Sequence, residues 1–304
     1  MLAEIRKDAF NHKNWLFEKK YDGYRALAAI DGRTNVELYS RNFISYNEVF
    51  SKIIDDLKKI SHICLLDGEV VVEDEQGNSS FQQLQNYQRT GKGVLKYYVF
   101  DILNLNGIDV TGLPLIERKE LLQLLLAKNE MKHVVFSQYV TEKGIDFYKL
   151  AYKLNLEGII AKDKLSPYRV GRRSSEWLKI KIHRQQEAII VGITQPKGSR
   201  SHFGSILLGA YQKGKLVYIG NCGTGFSEKL LHELYDKFKP EFINSSPFNS
   251  KIRMAEKVQW LKLKFICEIK FSEWTNEGRM RHPVFLGLRN DKDLLEVVKE
   301  IPKM

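Results

Sequence analysis

The apolar run Trp15-Leu-Phe17 is followed at once by the charged Glu18-Lys-Lys20 and by Asp22-Gly23. That order predicts an extended segment entering a tight turn. Arg25-Ala-Leu-Ala-Ala-Ile30 resumes as a strand, Asp31-Gly32 turns the chain, and Val36-Glu-Leu-Tyr-Ser40 runs back. Between Asn47 and Ile60 the apolar positions fall at Val49, Phe50, Ile53, Ile54 and Leu57, which is helical spacing. Cys64-Leu-Leu, Asp67-Gly68-Glu69 and Val70-Val-Val72 predict a strand pair, or one bulged strand around the glycine. Phe81 to Arg89 reads as a helix and Tyr97-Tyr-Val-Phe-Asp-Ile-Leu103 as a buried strand. Leu115 to Lys128 and Ile145 to Leu154 read as helices, and Gly158-Ile-Ile-Ala-Lys162 as a strand.

From about residue 185 the pattern changes to short strands: Glu187 to Ile193, Ser205 to Tyr211, Lys215 to Gly220 and Trp260 to Phe271. One helix, Ser227 to Phe238, interrupts them. Short strands around one small helix predict a compact barrel of the oligonucleotide-binding type. The change of texture divides the chain into domains over 1–183 and 184–304, with no long linker and no internal repeat.

Hydrophobic residues make up 43% of the 304, enough to bury a core in each domain. No run of about 18 apolar residues occurs, and Lys7 and Asp8 break up any signal-like start, so no membrane span is expected and the expected address is the cytoplasm. Cys64, Cys222 and Cys267 stand far apart and the histidines are scattered, which speaks against a disulfide framework or a transition-metal site. The formal charge of +11 favours a polyanionic partner. Charge alone does not choose between DNA, RNA, nucleotide and acidic lipid.

Candidate chemistry concentrates at Lys20-Tyr-Asp22-Gly23-Tyr-Arg25. A lysine at a strand end can point an amine at a phosphate that a nearby guanidinium helps to hold. To attack, the amine must lose its proton, and cationic neighbours such as Arg25 together with partial burial are expected to depress its pKa. A charged hairpin accounts for the same residues, since Asp-Gly turns flanked by lysines are common.

Read in order, Lys20-x-Asp22-Gly23-x-Arg25, Ser40-Arg41-Asn42, Asp67-Gly68-Glu69, Tyr97-x-x-Phe100-Asp101, Glu157-Gly158-Ile-Ile-Ala-Lys162 and Trp177-Leu-Lys179-Ile-Lys181 follow the sequence of motifs in nucleotidyltransferases. With Arg281-His-Pro-Val-Phe and Arg289-Asn-Asp291-Lys292, the chain resembles the ATP-dependent DNA ligases over essentially its whole length. The resemblance is strongest to the ligase module of the bacterial ligase D family of non-homologous end joining, through Trp15-Leu-Phe-Glu-Lys-Lys-Tyr-Asp-Gly-Tyr-Arg-Ala26, Pro167-Tyr-Arg-Val-Gly-Arg-Arg-Ser-Ser-Glu-Trp-Leu-Lys-Ile-Lys181 and Arg281-His-Pro283. It implies an α+β fold: a nucleotidyltransferase (ATP-grasp-like ligase) domain of antiparallel sheets and flanking helices, followed by an OB-fold barrel.

The same resemblance implies the residue roles. Lys20 would attack the α-phosphate of ATP and form a phosphoramidate, with Arg25 and Arg41 on ribose and phosphate oxygens. Glu69 would take the ribose hydroxyl or help to hold magnesium, or manganese in its place, and Glu157 would be the other carboxylate near the metal. Phe100 would stack on adenine, although an aromatic in Tyr-Tyr-Val-Phe serves equally as core. Glu18 would help to recognise the base, and Lys162 would also contact the nucleotide. Lys179 and Lys181 share a strand face and would neutralise the α-phosphate, or form one side of an ordinary amphipathic strand. In the second domain, Arg281, Arg289, Asp291 and Lys292 would belong to the surface that orients the leaving pyrophosphate as that domain closes over ATP, the competing account being a solvated basic tail.

The expected partner is nicked duplex DNA, met by a monomer at the bacterial nucleoid, with Ku and the polymerase and nuclease modules of end joining as further partners. Two other readings stay open: an RNA ligase or capping-type guanylyltransferase, and a non-catalytic DNA-binding scaffold. Only 19 residues precede Lys20, so the large N-terminal DNA-binding domain of replicative ligases is expected to be absent. The opening Met-Leu-Ala suits either an excised module or a stand-alone enzyme.

Overall fold

The computed structural model describes residues 1–300 apart from 76, 78, 80, 129, 155, 183, 197–199, 250, 251 and 253–255, with backbone alone for 82 and 184. The described chain forms two compact units, Met1–Ile182 and residues 183–300. No helix among the described residues is long and apolar enough to cross a membrane.

The first unit contains, in chain order, β1 (Leu2–Ile5), β2 (His12–Lys19), β3 (Tyr24–Asp31), β4 (Val36–Tyr39), α1 (Ser51–Leu57), β5 (Ile63–Glu73), α2 (Phe81–Thr90) and β6 (Val94–Leu105). There follow β7 (Ile108–Asp109), α3 (Leu115–Ala127), β8 (Val134–Phe136), β9 (Tyr139–Glu142), α4 (Gly144–Lys153), β10 (Gly158–Asp163) and β11 (Arg173–Lys181). One sheet has the order β1-β11-β10-β2-β9, the other β4-β3-β5-β6-β7 with β8 beside β6. The pairs are antiparallel except β1 with β11 and β6 with β8, two parallel pairs that the expected antiparallel sheets did not include.

Burial alternates along β3, where Tyr24, Ala26, Ala28 and Ile30 point into a core shared with Phe50, Ile53, Val70, Tyr97 and Leu122. A second core under α4 joins Phe17, Ala151, Ile159, Ala161 and Ile180. A small third cluster, Leu103, Tyr168 and Trp177 with Leu27, Leu65 and Phe100 against it, takes residues from both sheets. Buried Arg118 on α3 grips buried Asp101 on β6 through Nε (2.8 Å) and Nη2 (3.0 Å). Its Nη1 donates to the carbonyls of Leu113 and Ser166.

Two local features differ from the sequence-based expectation. The helix expected over Asn47–Ile60 is confined to Ser51–Leu57, because Asn47 bonds the edge of β4: its Nδ2 donates to Val36 O (2.9 Å) and its Oδ1 accepts from Leu38 N (2.8 Å). Of the two alternatives for residues 64–72, the single bulged strand forms, its register against β6 slipping between Asp67 and Gly68. A Cβ at Gly68 would lie 2.6 Å from Tyr98 O.

In the second unit β12 (Arg184–Thr194), β13 (Ile206–Gln212) and β14 (Lys215–Cys222) precede α5 (Glu228–Phe238). After it come β15 (Phe242–Ile243), β16 (Val258–Phe271), β17 (Glu273–Trp274), β18 (Met280–Arg281) and β19 (Val284–Arg289). The sheet order is β14-β13-β12-β16-β15 with β19 beside β16, the strands of an OB-fold. Ser227 caps α5, its Oγ accepting from Leu230 N (3.3 Å), and Leu231, Leu234 and Phe238 enter a core with Ile189, Leu208 and Ile269. All three cysteines are free and buried.

Candidate active site

Lys20 is the first residue after β2, and the four residues from Lys20 to Gly23 carry the chain from one sheet of the first unit to the other. The segment is therefore not the hairpin that its charge pattern also allowed. Gly23 is not in the left-handed region; it is needed because a Cβ there would stand 2.1 Å from Val70 O on β5. Asp22 accepts from the backbone N–H of Phe81 (3.1 Å), fixing the first residue of α2 beside the crossing.

A pocket opens at this crossing. Its wall includes Lys20, Arg25, Glu69, Phe100, Lys162 and Trp177, contributed by both sheets. Lys20 Nζ lies 2.5 Å from Glu157 Oε1, whose residue immediately precedes β10. Burial pulls the Lys20 ammonium down, the Glu157 carboxylate raises it, and Lys181 opposes the carboxylate; the net pKa lies above the ordinary lysine value. This corrects the expectation that Arg25 depresses it. Arg25 is neutralised by its own partner, buried Asp67, which accepts from Nε (2.9 Å) and Nη2 (2.6 Å). Arg25 Nη1 donates to Met1 O (2.6 Å), so its fork is engaged within the fold, and its guanidinium carbon lies 5.5 Å from the Phe100 ring centre.

Glu18 is 2% exposed at the back of the pocket and meets two buried ammoniums, Lys119 Nζ at 2.7 Å and Lys162 Nζ at 3.0 Å, while Ser137 Oγ donates to it at 3.0 Å. Burial pushes the Glu18 carboxyl up, but the two lysines more than offset this and hold it below the usual range. Burial lowers the Lys162 pKa to about 8 against the pull of Glu18. Lys162 Nζ also lies 4.3 Å from the Phe100 ring centre and 4.1 Å from that of Trp177. Phe100 thus presents a pocket face rather than filling the main core.

Glu69 stands opposite Arg25 in the β3–β5 register. Lys179 and Lys181 lie with Trp177 on one side of β11, alternating with Leu178 and Ile180 of the α4 core. Arg41 lies half-buried in the turn after β4, off the pocket wall, and its charge reaches the Met1 amino group. For a divalent cation, the fitting feature is Glu157 Oε2, which is buried with no hydrogen-bond partner while Oε1 holds Lys20. No group of three or more His, Cys, Asp or Glu placed to hold a metal ion occurs among the described residues, so a cation here would depend on few carboxylates and on oxygens of a substrate.

In the second unit Asp291 is buried and accepts from Arg289 Nε (2.8 Å) and Nη2 (2.7 Å), while Arg289 also reaches Glu268 (3.0 Å). Lys292 pairs with Glu187 at 2.8 Å, and exposed Arg281 with Glu273 at 2.6 Å. Asp291 and Lys292 are therefore tied into an ion network on the barrel, not a solvated tail.

Sequence reasoning missed Lys119. Between Arg118 and Glu120 on a leucine-rich helix it carries no local sign that it is buried, 5.0 Å from the Phe136 ring centre and paired with Glu18.

Residues 1–181 match the family model described as ATP dependent DNA ligase domain, and 199–292 that of ATP dependent DNA ligase C terminal region. The multifunctional non-homologous end joining protein LigD of Pseudomonas aeruginosa is 38% identical over 296 residues, covering 95% of this chain and 35% of that protein. The chain thus spans about a third of the length of this curated relative. The structure of mycobacterial DNA ligase D complexed with ATP and MES superposes with a TM-score of 0.67 at 32% identity, over 98% of both chains. The ligase domain of Mycobacterium tuberculosis LigD gives 0.56 at 32% identity, over 99% and 97%.

Proposed function

Because the chain belongs to the family of ATP-dependent DNA ligases, we propose that Lys20 carries adenylate from ATP to the 5′-phosphate of a nick in duplex DNA, and that the sealing serves end joining of double-strand breaks. The observation that carries this reading is the position of Lys20: a lysine amine on a pocket wall, at a crossing between two sheets, with a carboxylate on one side and Lys181 close by.

Three transfers run in one pocket. Lys20 Nζ attacks the α-phosphorus, an N–P bond forms and pyrophosphate leaves; the 5′-phosphate of DNA then displaces lysine; finally the 3′-hydroxyl displaces AMP. Phe100 would offer a flat face to adenine in a pocket that Glu18 and Lys162 also line, Lys162 Nζ lying over the Phe100 ring at 4.3 Å from its centre. Lys179 and Lys181 place positive charge where the α-phosphate gains negative charge, which suits catalysis by positioning and electrostatics. Glu69 would hold ribose oxygens, while Arg41, off the pocket wall, would hold phosphate oxygens of the nicked strand. Arg25 braces the wall through Asp67 and Phe100. Glu157 and Glu69 would hold magnesium, or manganese, which when bound neutralises phosphate charge.

Glu157 sets when the amine becomes a nucleophile. Its carboxylate raises the Lys20 pKa, so Glu157→Gln should move the rise of adenylation with pH to lower pH, even as the maximal rate falls. A pH profile of adenylate formation that keeps its alkaline limb in place would remove Glu157 from this role.

The function is tested with magnesium and labelled ATP, chased with nicked duplex and run with and without a bacterial Ku. A labelled protein band is expected whose label passes through adenylated DNA to free AMP as the nick is sealed, with cohesive-end joining at physiological salt raised by Ku. Label taken from GTP instead, or preference for nicked RNA, would overturn the assignment; joining indifferent to Ku would remove that partner.

A further inference from the structure

Two consecutive cations of α3, Arg118 and Lys119, are fully buried, and the fold uses them differently. Arg118 meets Asp101 one to one and gives its remaining donors to two carbonyls, which is all that a structural ion pair requires. Around Glu18 the charges do not balance. Lys119 Nζ lies 2.7 Å from Oε1, Lys162 Nζ lies 3.0 Å from both oxygens, and the Ser137 hydroxyl donates to Oε2, so two ammoniums serve one carboxylate. Each buried charge carries a desolvation penalty that pairing recovers only in part, so a second cation is a poor way to stabilise a fold. Its presence calls for an account outside stability.

The two lysines come to Glu18 from different places. Lys162 belongs to the pocket wall and is shared with the rings of Phe100 and Trp177, and burial lowers its pKa to about 8. Lys119 lies off that wall, 5.0 Å and 5.6 Å from the ring centres of Phe136 and Tyr139. It also donates to Ser137 O (3.3 Å), whose hydroxyl holds Glu18. Lys119 therefore fixes Glu18 twice, directly at Oε1 and through Ser137 at Oε2. Glu18 in turn lines the same pocket as Phe100. An ionised carboxylate only accepts hydrogen bonds, whereas a protonated one can also donate. Held ionised, Glu18 favours a base that offers it an amino group and opposes one that offers it a carbonyl oxygen.

We propose that Lys119 is a positioning residue for base selection, which fixes Glu18 as the acceptor for the 6-amino group of ATP and so favours adenine over bases with oxygen at that position. The inference deepens the ligase reading and rests on it, but adenylation and the choice of base are measured separately, so the two can fail separately.

The test compares adenylation of the full chain by ATP and by purine riboside 5′-triphosphate, which lacks only the 6-amino group, in the parent, Lys119→Met and Lys119→Arg. The parent should favour ATP in kcat/KM by about ten- to a hundredfold, the scale of one hydrogen bond to a charged group. Lys119→Met should lose most of that preference through a raised KM for ATP, while the analogue reacts near its parent rate and GTP gains on ATP. Lys119→Arg keeps the cation and should keep the preference. A residue that only packs would lower both nucleotides by the same factor. Such an equal loss would overturn the proposal, and so would a parent that takes the two nucleotides alike. If Lys119→Met melts below the assay temperature, Lys119→Gln, whose amide can still meet the Ser137 carbonyl, replaces it with the same expectations. A parent that forms no adenylate with either nucleotide would instead overturn the ligase reading.

Discussion

Lys20→Ala, incubated with magnesium and α-labelled ATP, should carry no label, a loss of about 10⁴-fold or more in adenylation, as for removal of a covalent nucleophile elsewhere. The lost group is specific. Lys181 is close to Lys20 but belongs to β11, and no other amine is paired to Glu157 among the described ion pairs. The same variant should still close a nick whose 5′-phosphate already bears AMP, because that last transfer needs charge and positioning from Lys179 and Lys181 and no lysine nucleophile. Arg281→Ala and Lys292→Ala should behave alike if, as we propose, these residues serve the first transfer: adenylation falls, closure of the pre-adenylated nick persists. Asp291→Ala is a poorer probe, since it also takes from the buried Arg289 its two-pronged carboxylate partner. A labelled band on Lys20→Ala would sink the assignment outright.

Arg118→Met should be the most destabilising single change in the first unit. It leaves the fully buried Asp101 carboxylate without its cation and the Leu113 and Ser166 carbonyls without their donor. Breaking a buried pair by removing one partner costs about 3–5 kcal/mol, out of roughly 5–15 kcal/mol that hold an ordinary domain together. Urea unfolding should show the loss as a lower midpoint. Replacing both partners, Arg118→Met with Asp101→Leu, should recover part of it, because the uncompensated charge is gone. An Arg118→Met midpoint equal to the parent's would mean that the pair contributes nothing.

The elements whose burial is set by local periodicity were legible in the sequence. β3 alternates along its length, and α5 carries both its apolar face and its Ser227 cap within a dozen consecutive residues. The bulge at Gly68 was half legible: the glycine marked it, but only the Tyr98 carbonyl across the β5–β6 pair decides between a bulge and a turn. At the site, the residue types around Lys20 were visible, while their charge states were not. The Lys20 pKa depends on Glu157 and the commitment of Arg25 on Asp67, and both are pairings between residues far apart in the chain. Lys119 was invisible for the same reason: a lysine on a helix reads as solvated until Glu18 is found opposite.

The crossing from Lys20 to Gly23 also fixes when, in the life of the molecule, chemistry becomes possible. Lys20, the proposed nucleophile, is made early in synthesis, but Glu157, Lys162, Lys179 and Lys181 emerge from the ribosome only after most of the first unit. Glu157 immediately precedes β10, Lys162 lies on β10, and Lys179 and Lys181 lie on β11, strands that pair with β2 and β1 only after a long stretch of chain has closed. A nascent or truncated chain therefore has its lysine but neither the charges nor the pocket that the proposed adenylation needs. On the proposed mechanism no adenylation precedes the last strands of this unit, and full activity waits further for Arg281 and Lys292 of the second.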